Sequence, residues 1–195
     1  MKTFTLFPTV ISKSKNPNHN QIEKELIDEC IRIKNTTSKG GNNWNCDVFN
    51  TCGTHNLIEN EKFNNLNEWI IKEVKQYANM IGYIDIPLKF TVFSWFNIYE
   101  KYDYQEIHDH IDHSDISVIY YLTAPENTGN VVFYSSEPKG IKSVFDNNNP
   151  YTYSNYYMKP QAGDLIMFKS NVKHGVQQNK INKQKISLAY NFKIL

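Results

Sequence analysis

Apolar residues recur at every third or fourth position in two stretches of the first half of the chain, with charged residues between them. The recurring positions are Ile22, Leu26, Cys30 and Ile33 in the stretch 21–34, and Phe63, Leu66, Ile70, Val74, Tyr77 and Ile81 in the stretch 61–81. This period matches that of an α-helix, so the pattern predicts two amphipathic helices. The stretch 36–60 between them is rich in Asn, Gly and Thr and is predicted to be mostly irregular.

Beyond Gly82 the chain consists of short β-branched and aromatic runs separated by turn signals such as PENTG and KPQAGD. Strands are predicted there and near the N-terminus, at residues 3–12, 89–99, 104–111, 115–123, 130–134, 152–159, 164–168, 172–177 and 185–194. Many short strands after two helices predict a mainly β fold with N-terminal helices. The strands are expected to form an antiparallel sandwich or barrel, with the two helices packed outside it.

Composition adds the expectation of one soluble domain. Of the 195 residues, 40% are hydrophobic, which suffices for one substantial core. Residues 1–195 are therefore predicted to form a single domain, with 1–87 as helical support and 88–195 as the β core. A net charge of +1 gives no indication of a surface built to bind nucleic acid or an anionic membrane. No run approaches the roughly 18 apolar residues of a membrane helix, and the three cysteines form no CxxC pair, so a cytoplasmic protein with reduced thiols is expected.

The stretch 104–122, YQEIHDHIDHSDISVIYYL, carries the candidate chemistry. Side chains two residues apart share one face of a strand, so His110 and Asp112 can project together, with His108 on the same face. His174 follows a later apolar strand. Two histidines and one carboxylate form the facial triad that binds Fe(II) and leaves coordination positions open. The pattern therefore predicts a metal site at His110, Asp112 and His174.

An alternative register pairs His108 with His110, because HxH fits this stretch as well as HxD does. A one-residue bulge would absorb the difference between the two registers. Asp112 is the preferred ligand, since a carboxylate is the expected hard ligand for Fe(II).

A basic residue follows the last histidine of the pattern. Lys185 and Ser187 share a face of the final predicted strand, where they could bind a carboxylate through one charge-assisted and one hydroxyl hydrogen bond. Arg32 is the only arginine in the chain, so Lys185 is the natural cation for such a site.

The chain resembles the iron(II)- and 2-oxoglutarate-dependent oxygenases, most closely a small group from bacteria and phages. The resemblance rests on the segments LFPT, FNIYEKYDYQEIHDH, ISVIYYLTAPENTGNVVF, KPQAGDLIMFKSNVKHGV and KISLAYNF, and covers essentially all of residues 88–195. It implies a double-stranded β-helix, or jelly roll, that uses Fe(II), 2-oxoglutarate and O2. The implied reaction is hydroxylation of an unactivated C–H bond, in a protein side chain such as proline or in a small metabolite.

The resemblance also implies roles for individual residues. It implies that iron is bound by His110, Asp112 and His174. It implies that 2-oxoglutarate is bound by Lys185, Ser187, Tyr121 and Asn97. Lys185 stands where the superfamily usually has arginine, and with Ser187 it would hold the far carboxylate of 2-oxoglutarate.

Two other functions fit parts of the pattern. A cupin-like metalloenzyme without 2-oxoglutarate would use His108, His110, Asp115 and His174. A non-catalytic jelly-roll binding protein would present the tyrosines Tyr151, Tyr153, Tyr156 and Tyr157. For the enzyme, the loop 135–150 is expected to face the substrate as a lid, on the basis of its length and composition.

Overall fold

The computed structural model describes residues 1–41, 44–83, 89–136 and 152–195. Within these residues the helices are α1 (His19–Thr36) and α2 (Asn64–Met80), with short 3-10 helices at Leu57–Glu59 and Glu61–Phe63. The strands are β1 (Ile11–Lys15), β2 (Phe49–Asn50), β3 (Phe90–Tyr99), β4 (Gln105–His108), β5 (Ile116–Thr123), β6 (Val131–Tyr134), β7 (Asn155–Met158), β8 (Asp164–Lys169), β9 (His174–Val176) and β10 (Lys185–Ile194). No helix in the described ranges is long and apolar enough to cross a membrane.

The strands form two antiparallel sheets that face each other. The larger sheet has the order β1-β8-β5-β10-β3-β2, and the smaller one has the order β4-β9-β6-β7. One apolar cluster joins β5 and β8 of the larger sheet to β6 of the smaller sheet, through Ile119, Tyr121, Ile166, Phe168, Val131 and Phe133. The predicted mainly β architecture is confirmed.

The two faces of the larger sheet have different partners. Alternate residues of β10 point to opposite faces. One set joins the main core with the helices α1 and α2, namely Ile186, Leu188, Tyr190 and Phe192. The other set lines a pocket between the two sheets, namely Ser187, Ala189 and Asn191. The period of two along this strand therefore separates the structural core from the candidate site.

Buried tyrosine hydroxyls bind the helices to the larger sheet. The Tyr120 hydroxyl lies 2.8 Å from Nδ1 of His19 in α1, and the Tyr190 hydroxyl donates to Oδ1 of Asn67 in α2 at 2.9 Å. Because buried polar groups are costly without partners, these contacts favour one docking position for each helix. Both predicted helices are confirmed.

Several predicted strands are shorter in the structure, including those at 152–159 and 172–177, which are reduced to β7 (Asn155–Met158) and β9 (His174–Val176). The prediction of a strand at 3–12 was wrong before Ile11, because β1 pairs with β8 from Ile11 opposite Phe168 to Lys15 opposite Asp164, and β8 ends at Lys169. Earlier residues therefore have no strand to pair with. The strand predicted at 104–111 ends at His108. Of the predicted lid at 135–150, residues 137–150 lie outside the described residues.

Candidate metal and ligand site

Three histidines converge on the pocket side of the smaller sheet. His108, the last residue of β4, lies opposite His174, the first residue of β9. The centres of these two rings are 4.2 Å apart, and the His110 ring centre lies 4.9 Å from His108 and 5.4 Å from His174. One ligand nitrogen from each histidine lies within 4.8 Å of the others, so the three could hold one metal ion.

Backbone carbonyls orient two of these rings. Nδ1 of His108 lies 2.8 Å from the carbonyl oxygen of Glu106, and Nδ1 of His174 lies 3.1 Å from that of Val172. A carbonyl can only accept, so Nδ1 donates in both rings, and Nε2 is the nitrogen that remains for a metal. This arrangement, in which the second nitrogen binds a backbone carbonyl, is typical of metal-ligating histidines.

Burial also favours the protonation state that a metal requires. Burial, reinforced by the neighbouring His108, lowers the pKa of His110 to about 4. The pKa of His174 is held well below its usual value by burial and then by His108 and His110. Both rings are therefore neutral at pH 7, and the neutral imidazole is the form that binds a metal.

Asp112 lies outside this group. Strand β4 ends at His108, so strand alternation does not continue to Asp112. The chain instead turns, and the N–H groups of His113 and Ser114 both donate to the carbonyl of His110 at 3.1 Å. Asp112 is exposed in that turn. Among the described residues, the group that could hold a metal consists of three histidines without a carboxylate, so it contains the His108–His110 pair of the alternative register and not Asp112.

A narrow pocket extends from the histidines to the larger sheet. Its floor consists of alternate residues on three adjacent strands: Trp95, Asn97 and Tyr99 of β3, Ser117, Ile119 and Tyr121 of β5, and Ser187, Ala189 and Asn191 of β10. Sequence reasoning named Asn97, Tyr121 and Ser187 but missed the other floor residues. Their spacing of two along each strand was the available signal.

A polar row crosses the middle of the floor. Ser187 pairs with Asn97 on one side and with Tyr121 on the other, and Nδ2 of Asn97 donates to the Ser187 hydroxyl at 3.4 Å. Within the described part of the chain, the buried Oδ1 of Asn97 has no hydrogen-bond partner. Burial raises the pKa of the Tyr121 hydroxyl, which therefore remains protonated and able to donate. The row offers several polar groups to a bound ligand.

A second polar group lies beneath His110. The hydroxyl of Ser170 contacts the hydroxyls of Ser114 at 2.9 Å and Ser117 at 2.8 Å, and Ser117 donates to Oδ1 of Asn191 at 2.9 Å. The N–H of His110 donates to the carbonyl of Ser170 at 2.9 Å. These contacts hold the loop that carries His110 against the floor.

Lys185 is fully buried at the far end of the floor. Its Nζ donates to the carbonyls of Thr128 at 2.6 Å and Gly129 at 3.0 Å, and lies 4.6 Å from the ring centre of Tyr99. Lys185 does not itself line the pocket, whereas Tyr99 does. Burial lowers the pKa of Lys185 to about 7. A buried ammonium is costly without a counter-charge.

Asp115 of the cupin-like hypothesis and the described tyrosines of the binding-protein hypothesis neither belong to the histidine group nor line its pocket. The carboxylate of Asp115 accepts from Nζ of Lys193 at 3.0 Å and from the N–H of Ile194 at 2.8 Å, and it is not part of the histidine group. The Tyr153 and Tyr156 rings are 5.6 Å apart, and Tyr156 and Tyr157 are exposed. Tyr151 lies outside the described residues.

Comparisons with known proteins agree with the geometry. A family model described as "Putative 2OG-Fe(II) oxygenase" matches residues 93–191, just over half of the chain. No curated protein sequence matches.

Several solved structures have a similar fold. A prolyl-4-hydroxylase from Pseudomonas putida matches with a TM-score of 0.63 and 16% identity, over 95% of this chain and 92% of that one. A prolyl hydroxylase from Trichoplax adhaerens, in complex with a hypoxia inducible factor peptide, matches with a TM-score of 0.65 and 14% identity, over 94% and 83%. HygX from Streptomyces hygroscopicus, with nickel and 2-oxoglutarate bound, matches with a TM-score of 0.63 and 10% identity, over 95% and 83%.

Proposed function

The chain belongs to the 2OG-Fe(II) oxygenase family, and from this premise we propose that it hydroxylates an unactivated C–H bond of a protein side chain or a small molecule. As a member of this family it is an enzyme that uses Fe(II), 2-oxoglutarate and O2. The observation that carries the proposal is the group of three histidines above a pocket between two sheets. The two facing antiparallel sheets support the further proposal that the fold is a double-stranded β-helix.

His108, His110 and His174 would hold the iron. Imidazole is a suitable ligand for iron. Burial keeps the His110 and His174 rings neutral, and the carbonyl contacts at Nδ1 leave Nε2 of His108 and His174 as the nitrogen that can bind a metal. When bound, iron with 2-oxoglutarate and O2 supplies the oxidising power for C–H hydroxylation. Three protein ligands leave other positions of the metal open for these partners.

Lys185 and Ser187 would bind the far carboxylate of 2-oxoglutarate. An ammonium has three N–H donors, and two of them bind the carbonyls of Thr128 and Gly129. The third remains for a carboxylate, whose negative charge would offset the cost of burying the ammonium. Tyr121 and Asn97, beside Ser187, would orient the same ligand, and the apolar walls at Ile119 and Phe168 would exclude water.

The substrate class is proposed from the kinds of protein that share the fold. Two are prolyl hydroxylases, one of which has a peptide bound. HygX has been solved with nickel, 2-oxoglutarate and hygromycin B. A protein side chain such as proline is therefore the first substrate class to test, and a small metabolite is the second.

Anaerobic titration with Fe(II), with and without 2-oxoglutarate, tests the function. The wild type should develop the weak visible charge-transfer band of an iron-chelated 2-oxo acid. If iron binds but 2-oxoglutarate produces neither the band nor a rise in Tm, the oxygenase proposal is refuted in favour of a metalloenzyme without 2-oxoglutarate. If no metal binds, both enzyme proposals fail.

Two matched variants test the ligand set. Loss of a residue that only hydrogen-bonds to a metal ligand typically weakens metal binding about 10–100-fold. His108→Ala removes a proposed ligand itself and should therefore weaken Fe(II) binding by more than this. Asp112→Ala, which changes an exposed residue of the turn, should leave Fe(II) affinity unchanged. The opposite outcome would assign the site to the HxD register while leaving the oxygenase function intact.

A further inference from the structure

Trp95 carries a buried polar atom that the proposed function has not used. Its side chain lines the pocket and is 3% exposed. Among the described residues, its indole Nε1 has no hydrogen-bond partner. An indole N–H can only donate, and a buried donor without an acceptor destabilises the folded protein. A side chain that lines the pocket therefore carries a donor that lacks an acceptor among the described residues.

The strand register places Trp95 at the metal end of the floor. Ala189 pairs with Trp95, Ser187 with Asn97, and Lys185 with Tyr99, so three rows of side chains lead from Trp95 to Lys185. Successive rows are about 7 Å apart, since a strand rises by about 3.3 Å per residue. Trp95 is therefore two rows from the ammonium and one row from the polar row at Ser187.

The indole also packs against one of the metal-binding histidines. The rings of Trp95 and His110 are 6.1 Å apart in an edge-to-face arrangement. On its other side, Trp95 contacts Phe93, with ring centres 5.4 Å apart. The indole thus contacts both an exposed phenylalanine and a proposed iron ligand.

We propose that the indole N–H of Trp95 donates a hydrogen bond to the metal-bound carboxylate of 2-oxoglutarate. The inference rests on the proposed function and adds a binding residue to it. The two ends of the dianion then have separate partners: Lys185 and Ser187 hold the far carboxylate, and Trp95 holds the end that chelates iron. A hydrogen bond to a charged acceptor is stronger than one between neutral groups, and this one would satisfy the unpartnered donor.

The test compares 2-oxoglutarate affinity in two tryptophan variants. Trp95→Phe keeps an aromatic ring beside His110 but removes the N–H. Trp69→Phe is the matched control, because Trp69 packs against Tyr120 on the helix side of the sheet. The dissociation constant of 2-oxoglutarate from the anaerobic Fe(II) protein should rise about tenfold in Trp95→Phe. It should not change in Trp69→Phe, and the affinity for Fe(II) alone should be the same in both.

Three outcomes would overturn the assignment. Equal 2-oxoglutarate affinity in the wild type and Trp95→Phe would leave the indole without this role. A loss of Fe(II) affinity without a loss of 2-oxoglutarate affinity would assign Trp95 to the support of His110. If the wild type itself forms no charge-transfer band with 2-oxoglutarate, the proposed function fails and this inference fails with it.

A measurement on the intact chain covers the case in which Trp95→Phe does not fold. The chain has three tryptophans, and the indole N–H resonance that persists in both Trp44→Phe and Trp69→Phe belongs to Trp95. In the Zn(II)-loaded protein, 2-oxoglutarate should move this resonance downfield. Succinic semialdehyde, which lacks the metal-end carboxylate, should not move it. An unmoved resonance with bound 2-oxoglutarate would refute the hydrogen bond.

Discussion

Lys185 predicts a pH dependence of folding stability that a lysine at the surface would not produce. Burial lowers the pKa of Lys185 to about 7, whereas an unfolded chain binds this proton up to about pH 10.4. Between these values the unfolded state binds more protons, so the free energy of unfolding rises with pH. The limiting slope is about 1.4 kcal/mol per pH unit. Integrated from pH 7 to pH 9, where the folded state is half deprotonated at the start, the gain is about 2 kcal/mol. Below about pH 6 both states are protonated, and this contribution becomes constant.

Denaturant unfolding of the metal-free wild type and Lys185→Met measures this gain. Groups that titrate in both proteins cancel in the difference, provided that they do not contact Lys185. The wild-type stability minus that of Lys185→Met should therefore increase by about 2 kcal/mol between pH 7 and pH 9. Lys180→Met, at an exposed position, should run parallel to the wild type. Parallel curves for Lys185→Met and the wild type would refute the argument, because they would mean that Lys185 keeps its proton throughout this range.

The same titration predicts the pH dependence of 2-oxoglutarate binding. The protonated ammonium is the form that binds a carboxylate, and a bound carboxylate raises the pKa of Lys185. Affinity should therefore be about tenfold lower at pH 8 than at pH 6, since only about a tenth of the free protein is protonated at pH 8. Lys185→Met should bind more weakly and should lack this dependence. A wild-type affinity that does not change between pH 6 and pH 8 would exclude Lys185 as the titrating partner.

Two further predictions concern stability away from the metal. The carboxylate of Glu29 is almost fully buried and accepts hydrogen bonds from Arg32, Asn60 and Lys62. Glu29→Gln should therefore lower the free energy of unfolding by about 2 kcal/mol. These contacts hold the pKa of Glu29 well below its usual value. The stabilisation is therefore present above about pH 4.5 and is lost as the pH falls further. Urea unfolding of the wild type and Glu29→Gln measures it, and a stability difference that does not shrink in acid would contradict the argument. Gly129→Ala should lower the free energy of unfolding by more than about 3 kcal/mol, with a correspondingly lower Tm. The reason is that φ is +88° and an added Cβ would collide with the carbonyl oxygen of Gln177. Gly53→Ala is the control, with φ of +78° but no atom within 4 Å of the added Cβ, and an equal loss of Tm in the two variants would show that the contact with Gln177 is relieved.

Local patterns were sufficient to predict both helices, most of the strands and several residues of the site. The spacing of apolar residues predicted α1 and α2, because one face of each helix is buried against the sheet and that burial imposes the helical period. Strand alternation put Lys185 and Ser187 on one face of β10, since successive side chains in any strand point to opposite faces. His108, His110 and His174 were all recognisable from residue type and order, and so was the resemblance to the oxygenase family.

Contacts between distant parts of the chain decided which of these residues meet. His108 and His174 are neighbours because β4 pairs with β9, and Asp112 is excluded because the chain turns after β4 ends. Where a strand ends depends on how far its partner extends, which local periodicity does not encode. Lys185 is fully buried against the carbonyls of Thr128 and Gly129. The Trp95 ring packs against His110, and its N–H has no partner among the described residues. Both environments arise only when separate strands pack together. Residue type alone therefore could not predict a lysine with a pKa of about 7 or an indole N–H that has no acceptor among the described residues.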